Sequence, residues 1–90
     1  LKVIVKNESP TDSFLFLSIE QKDLTKSTYF NPNKYLYSGQ SDTVEVATIL
    51  GQLTKLDLWY TNFISPNIYI QPDSIICNQV NNNEIILNIR

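Results

Sequence analysis

Apolar and polar residues alternate along much of this chain, and turn-forming residues break the alternation about every ten positions. A period of two is the mark of a half-buried strand. LKVIVK, residues 1–6, puts Leu1, Val3 and Val5 on one face and Lys2, Ile4 and Lys6 on the other: a strand near a sheet edge with its lysines in water. FLFLSIE, residues 14–20, puts Leu15, Leu17 and Ile19 on one face and Phe14, Phe16, Ser18 and Glu20 on the other. The longest alternation runs from Thr43 to Phe63 and is broken only at Gly51. Before the glycine, Val44 and Val46 share a face. After it, Leu56, Leu58 and Tyr60 share one face, and Lys55, Asp57, Trp59, Thr61 and Phe63 share the other. Paired as a hairpin, these halves need a loop of odd length, three or five residues around Gly51, to set core beside core. The alternative is that Gly51 marks a crossing from one sheet to another.

Further strands are expected at IYIQ, 68–71, closed by Pro72, and at SIICNQV, 74–80. The last, EIILNIR, buries Ile85, Leu87 and Ile89 and turns Glu84, Asn88 and Arg90 to water. Turn chemistry separates the strands: Asn7–Ser13 with Pro10, Asn31–Asn33, Ser38–Ser41, Ser65–Asn67 and three asparagines at 81–83. Residues 21–33 form the longest irregular stretch, reading as one helical turn at 21–26 and a short strand at 26–30, and KYLY at 34–37 resumes an extended form. Turns arrive too often for a long helix. The fold class predicted is all-β: one domain over residues 1–90, a two-sheet antiparallel β-sandwich of seven or eight strands, transthyretin-like or immunoglobulin-like.

Composition agrees with a single modest core. Of 90 residues, 42% are hydrophobic, too many for a disordered chain. Eleven isoleucines and nine Phe and Tyr suit pleated surfaces, and ten asparagines suit the turns. The net charge is −2 and the seven basic residues are scattered, which argues against nucleic acid and against an anionic membrane surface. The chain begins at Leu1 and holds no methionine, so it reads as a processed product or a trimmed piece, a removed signal peptide being one way to arrive at it.

Candidate chemistry is sparse. With no histidine, the one cysteine, Cys77, has no partner for nucleophilic work and is expected to be a small buried residue. Asp42, Glu45, Asp57 and Asp73 form no paired set and read as solvated strand or turn residues, and no D-x-D series suggests calcium. No enzyme activity, metal or cofactor is expected. Binding features stand out more. Alternation sends Trp59 to the face away from the core, with a covering loop or a slipped register as the plain alternatives. Phe14, Phe16, Trp59 and Phe63 lie on the nominally outer faces, as a partner patch or as a minor core under residues 21–33.

The order of elements resembles the TssJ family, the small outer-membrane lipoproteins of type VI secretion systems. The run is LKVIVKN, SFLFLSIEQ, an insert with STYFNPN, YLYSGQSDTVEV, LTKLDLWYTNF, IYIQ and EIILNIR. Leu36, Gly39 and Gln40 parallel the family's pattern before a β-run, and Leu58, Trp59, Tyr60 and Asn62 its aromatic strand end and polar turn. Ser38 stands where the family usually has proline, and Asn67-Ile68-Tyr69 where a tryptophan–arginine pair is usual. The resemblance implies a structural protein on the periplasmic face of the bacterial outer membrane, held by a lipid anchor. Its partner would be the periplasmic domain of an inner-membrane secretion component. Mapped by order, the contacts would come from the 21–33 insert and the turn after Phe63, giving Tyr29, Phe30, Asn31, Asn33, Trp59 and Phe63 as partner-binding candidates. A carbohydrate-binding or adhesin-like module using Trp59 is the alternative, and a small protease inhibitor presenting a loop such as 62–67 a third.

Overall fold

A computed structural model describes residues 1–22, 26–62, 67–77 and 83–89. Eight strands form two facing sheets: β1 (Lys2–Asn7), β2 (Phe14–Lys22), β3 (Ser27–Phe30), β4 (Lys34–Leu36), β5 (Ser41–Glu45), β6 (Leu53–Asn62), β7 (Ile68–Ile76) and β8 (Glu84–Ile89). The small sheet has the order β5-β1-β8; the large one runs β3-β2-β6-β7, with β4 also paired to β2. All ladders are antiparallel except β1 with β8, which is parallel.

The core lies between the sheets. Val3, Val5, Leu87 and Ile89 meet Phe14, Phe16, Ile19, Leu36, Leu56 and Leu58 there, with Val46 and Tyr60 at its borders. The inward faces expected of β6 and β8 are the observed ones; Asn88, expected in water, is half-buried, and Arg90 lies outside the described residues. β1 is corrected: it is the centre of the small sheet, not near an edge, because its backbone pairs with β5 on one side and β8 on the other while its lysines still reach water from the outer face. Between the two ways of joining β5 to β6, the crossing at Gly51 is the observed one, since they belong to different sheets. Gly51 takes φ +79°, which a side chain disfavours, and its N–H donates to the Cys77 carbonyl at 2.9 Å. Cys77 is buried, as expected.

Two strands depart from the alternation. Pro72 does not close a strand: β7 runs through it from Ile68 to Ile76. Pro72 is tolerated because β7 is an edge, so its missing N–H faces away from β6. In β2 the register against β6 shifts between Phe16 and Ser18, leaving Leu17 as an extra residue. Before the bulge Phe14 and Phe16 point inward; after it Ile19 does. Phe14 and Phe16 are therefore in the main core rather than on the outer face. Opposite the bulge the flanking strand breaks into β3 and β4 at 31–33, where Asn33 takes φ 46°.

A buried asparagine anchors the corner after β1. The Asn7 amide donates to the carbonyls of Asp12 (2.7 Å) and Leu36 (2.9 Å), and its oxygen accepts from Ser9 N–H at 2.9 Å. This side chain joins the 8–13 turn to both sheets.

Candidate functional site

The bulge decides what the outer face of the large sheet carries. Past Leu17, Ser18 pairs with Trp59, Glu20 with Asp57 and Lys22 with Lys55, so these residues share the outward side. β3 adds Tyr29 opposite Glu20 and Ser27 opposite Lys22, and β7 adds Ile70 opposite Trp59. Toward the other end, Tyr35, Leu15, Thr61 and Ile68 form the next row on this side.

At the centre of this face sit two carboxylates that the surrounding side chains cover, Glu20 at 7% exposure and Asp57 at 8%. Burial of a charge requires partners. Glu20 has one on each oxygen: the Trp59 indole N–H donates to Oε1 at 3.3 Å and the Ser27 hydroxyl to Oε2 at 2.7 Å. Asp57 Oδ2 lies 2.7 Å from the Lys22 ammonium. That hydrogen bond, then the Asp57 charge itself, raises the Lys22 pKa above its ordinary 10.5, with weaker help from Glu20 and Tyr29. Asp57 is thus not the solvated strand residue expected. With both Glu20 oxygens accepting and Asp57 ion-paired, the two carboxylates hold Trp59 and Lys22 in place.

Around that polar centre the face is apolar. Tyr29, Tyr35, Ile68 and Ile70 are exposed, and Trp59 is half-buried with its ring edge fixed by Glu20. Four strand positions at about 4.8 Å and ten residues at about 3.3 Å make a face of roughly 600 Å².

Of the residues singled out in the sequence, Tyr29 and Trp59 come together here, on either side of Glu20. Phe30 does not join them: it follows Tyr29 in a strand, so it points to the other side and packs against the core. Asn31 and Asn33 are exposed at the break between β3 and β4, and Phe63 lies outside the described residues. Glu20, Ser27 and Lys22 were not anticipated. For Glu20 and Lys22 the signal is only the polar tail SIEQK after an apolar strand start, which acquires meaning once the bulge is placed, and Ser27 on β3 carries none.

Among the described residues, no group of three or more Cys, Asp or Glu side chains is placed to hold a metal ion, and no helix is long and apolar enough to cross a membrane. Comparison with known protein families, curated proteins and solved structures gives no match.

Proposed function

We propose that this chain is a non-catalytic protein-binding module of a type VI-like secretion system. It would be a periplasmic domain, anchored by lipid to the outer membrane, that docks the periplasmic part of the inner-membrane core component. The observation that carries the binding role is the outer face of the large sheet: exposed Tyr29, Tyr35, Ile68 and Ile70 around a Trp59 pinned by Glu20. A rigid aromatic anchor ringed by apolar area is the usual centre of an interface, and about 600 Å² approaches the ~800 Å² that one partner contributes to a stable complex. The place in a secretion assembly rests on the order of strands and on the residues from Leu36 to Gln40 and Leu58 to Asn62.

Titration calorimetry against the periplasmic domain of the inner-membrane component encoded in the same gene cluster tests both parts. Binding weakened at least tenfold, about 1.4 kcal/mol, by Tyr29→Ala or Ile70→Ala supports the face and the partner together. Binding untouched by either substitution removes the face, and no binding at all removes the partner.

A second reading follows from the same residues. Trp59 and Tyr29 on one face also suit a carbohydrate, with rings for the sugar's apolar side. A glycan panel that quenches or shifts Trp59 fluorescence favours it; an unresponsive tryptophan rejects it.

A further inference from the structure

The two sheets are unequal. Three strands of the small sheet face a sheet four strand positions wide, so β7 overhangs, and only Gln71 and Ile75 along it are even half-buried. Between that overhang and β8 lies a depression lined by Tyr60, Gln71 and Asp73 of the large sheet and Ile86 and Asn88 of the small one. The β8 backbone borders it in a definite phase. Lys2 N–H donates to the Asn83 carbonyl and Glu8 N–H to the Ile89 carbonyl, so the odd residues of β8 serve β1. In a parallel ladder the N–H and C=O of one residue point the same way. Glu84, Ile86 and Asn88 therefore turn theirs to the other edge, which pairs with no strand among the described residues.

Natural sheets blunt free edges. Here β7 is interrupted by Pro72, β3 and β4 are broken at 31–33, and β5 has five residues with β4 beside it. β8 has none of these devices. It runs six residues without a proline, four of them Ile or Leu, and Ile86 is 52% exposed. The depression also holds unmet polar demand. Among the described residues, Asn88 Oδ1 is buried without a partner, and Asp73, whose Oδ1 accepts from the Ser74 N–H at 2.7 Å, forms no ion pair.

We propose that this notch receives an extended segment of a partner protein as a fourth strand of the small sheet. The segment pairs with the outward backbone of Glu84, Ile86 and Asn88, sets an apolar side chain against Tyr60, and brings a lysine or arginine to Asp73. A second copy of this chain suits the notch poorly. Antiparallel pairing of two β8 strands centred on Ile86 sets the Glu84 carboxylate opposite Asn88, in the neighbourhood of Asp73, where a donor and a cation are wanted. This inference uses residues away from the Trp59 face and stands whether or not that face docks a partner.

The test is amide hydrogen exchange by NMR, with and without a capped seven-residue peptide of alternating valine and threonine carrying one central lysine. Saturating peptide is expected to slow exchange at Ile86 and Asn88 by at least about tenfold and to leave the β7 amides unchanged. Ile86→Pro removes an outward N–H while sparing the ladder to β1, and should abolish the effect. If that variant does not fold, peptides N-methylated on one or the other alternate set of amides ask the same question: one set should lose binding and the other keep it. Asp73→Lys should weaken the lysine peptide and favour its glutamate counterpart. Absence of protection, protection along β7 instead, or equal binding by both N-methylated peptides overturns the proposal. So does protection of Ile86 and Asn88 that rises with protein concentration in the absence of peptide, which assigns the edge to a second copy.

Discussion

The bulge at Leu17 makes a sharp prediction, because alternation and structure rank two adjacent residues in opposite order. Unbroken alternation in β2 puts Leu17 in the core and Phe16 outside; the observed register puts Phe16 at 0% exposure and leaves Leu17 half-buried and without a partner in β6. Phe16→Ala removes a whole ring from between the sheets and should cost about 3–5 kcal/mol, transfer and cavity together. Leu17→Ala removes three carbons from a site already partly in water and opens no enclosed cavity, so about 1 kcal/mol is expected. For a domain whose total stability is about 5–15 kcal/mol, the first is a large fraction and the second is minor. At roughly 4–8 °C per kcal/mol, Phe16→Ala should lower Tm by at least about 12 °C. Urea unfolding followed by the single tryptophan reads both from the midpoint, with an unchanged slope showing that the denatured state is comparable. A Leu17→Ala variant as damaged as Phe16→Ala would refute the bulge and restore the simple alternation.

Other substitutions test other parts of the frame. Asn7→Ala removes three hydrogen bonds, two of them buried, and takes a partner from two carbonyls and an amide, so a loss of about 2–4 kcal/mol is expected in the same urea assay. Gly51→Ala meets no atom within 4 Å of the added carbon, so its cost should be only that of the φ +79° backbone, about 1–2 kcal/mol. At alkaline pH, burial and then Tyr69 raise the Tyr60 pKa above its ordinary 10.0, and Asp57 raises that of Lys22 above 10.5. Each group binds its proton more tightly folded than unfolded. Their contribution is therefore complete below pH 10.0 and is lost as pH climbs through the folded values. Tm measured from pH 9 to 11.5 should fall over the upper part of that range, and less in Tyr60→Phe.

Which parts of this were legible in the sequence follows from what alternation can distinguish. In β6 and β8 one face is apolar and the other polar, and the faces were read correctly from Leu56, Leu58, Ile85, Leu87 and Ile89. In FLFL both faces are apolar, so the pattern carries no information about which residues go in, and a bulge is invisible there. The join of β5 to β6 could not be decided because parity constrains a hairpin but does not require one. Strand order and edges depend on pairings between residues far apart in the chain, which is why β1 was misplaced and Pro72 was read as an end. The site was half legible. Trp59 and Asp57 share a face by spacing alone, but the burial of Asp57 depends on Lys22, a strand away. Tyr29 and Phe30 were both proposed for one surface, although neighbours in a strand must point to opposite sides.

The extra residue in β2 links core and surface. With Phe16 inward, an unbroken strand would place Ser18 and Glu20 inward as well and turn Ile19 out. Glu20 would then be a carboxylate between the sheets, opposite Leu56 rather than beside Trp59 and Ser27, a burial costing several kcal/mol unless the group took up a proton. Bulging Leu17 out of the ladder exchanges the two sets: Ile19 enters the core beside Leu58, and Glu20 moves out to the Trp59 indole. One backbone irregularity thus completes the apolar core and places the acceptor that fixes the tryptophan. Deleting Leu17 removes the extra residue, so Phe16 opposite Tyr60 and Ser18 opposite Trp59 become consecutive in a regular ladder, and Ile19 and Glu20 keep their sides. The Trp59 fluorescence should therefore stay that of the wild type, and urea unfolding should show a loss of only about 1 kcal/mol, as for Leu17→Ala. A deletion variant whose Trp59 spectrum shifted to that of an indole no longer held by a carboxylate would mean that Leu17 is not the residue left out of the ladder.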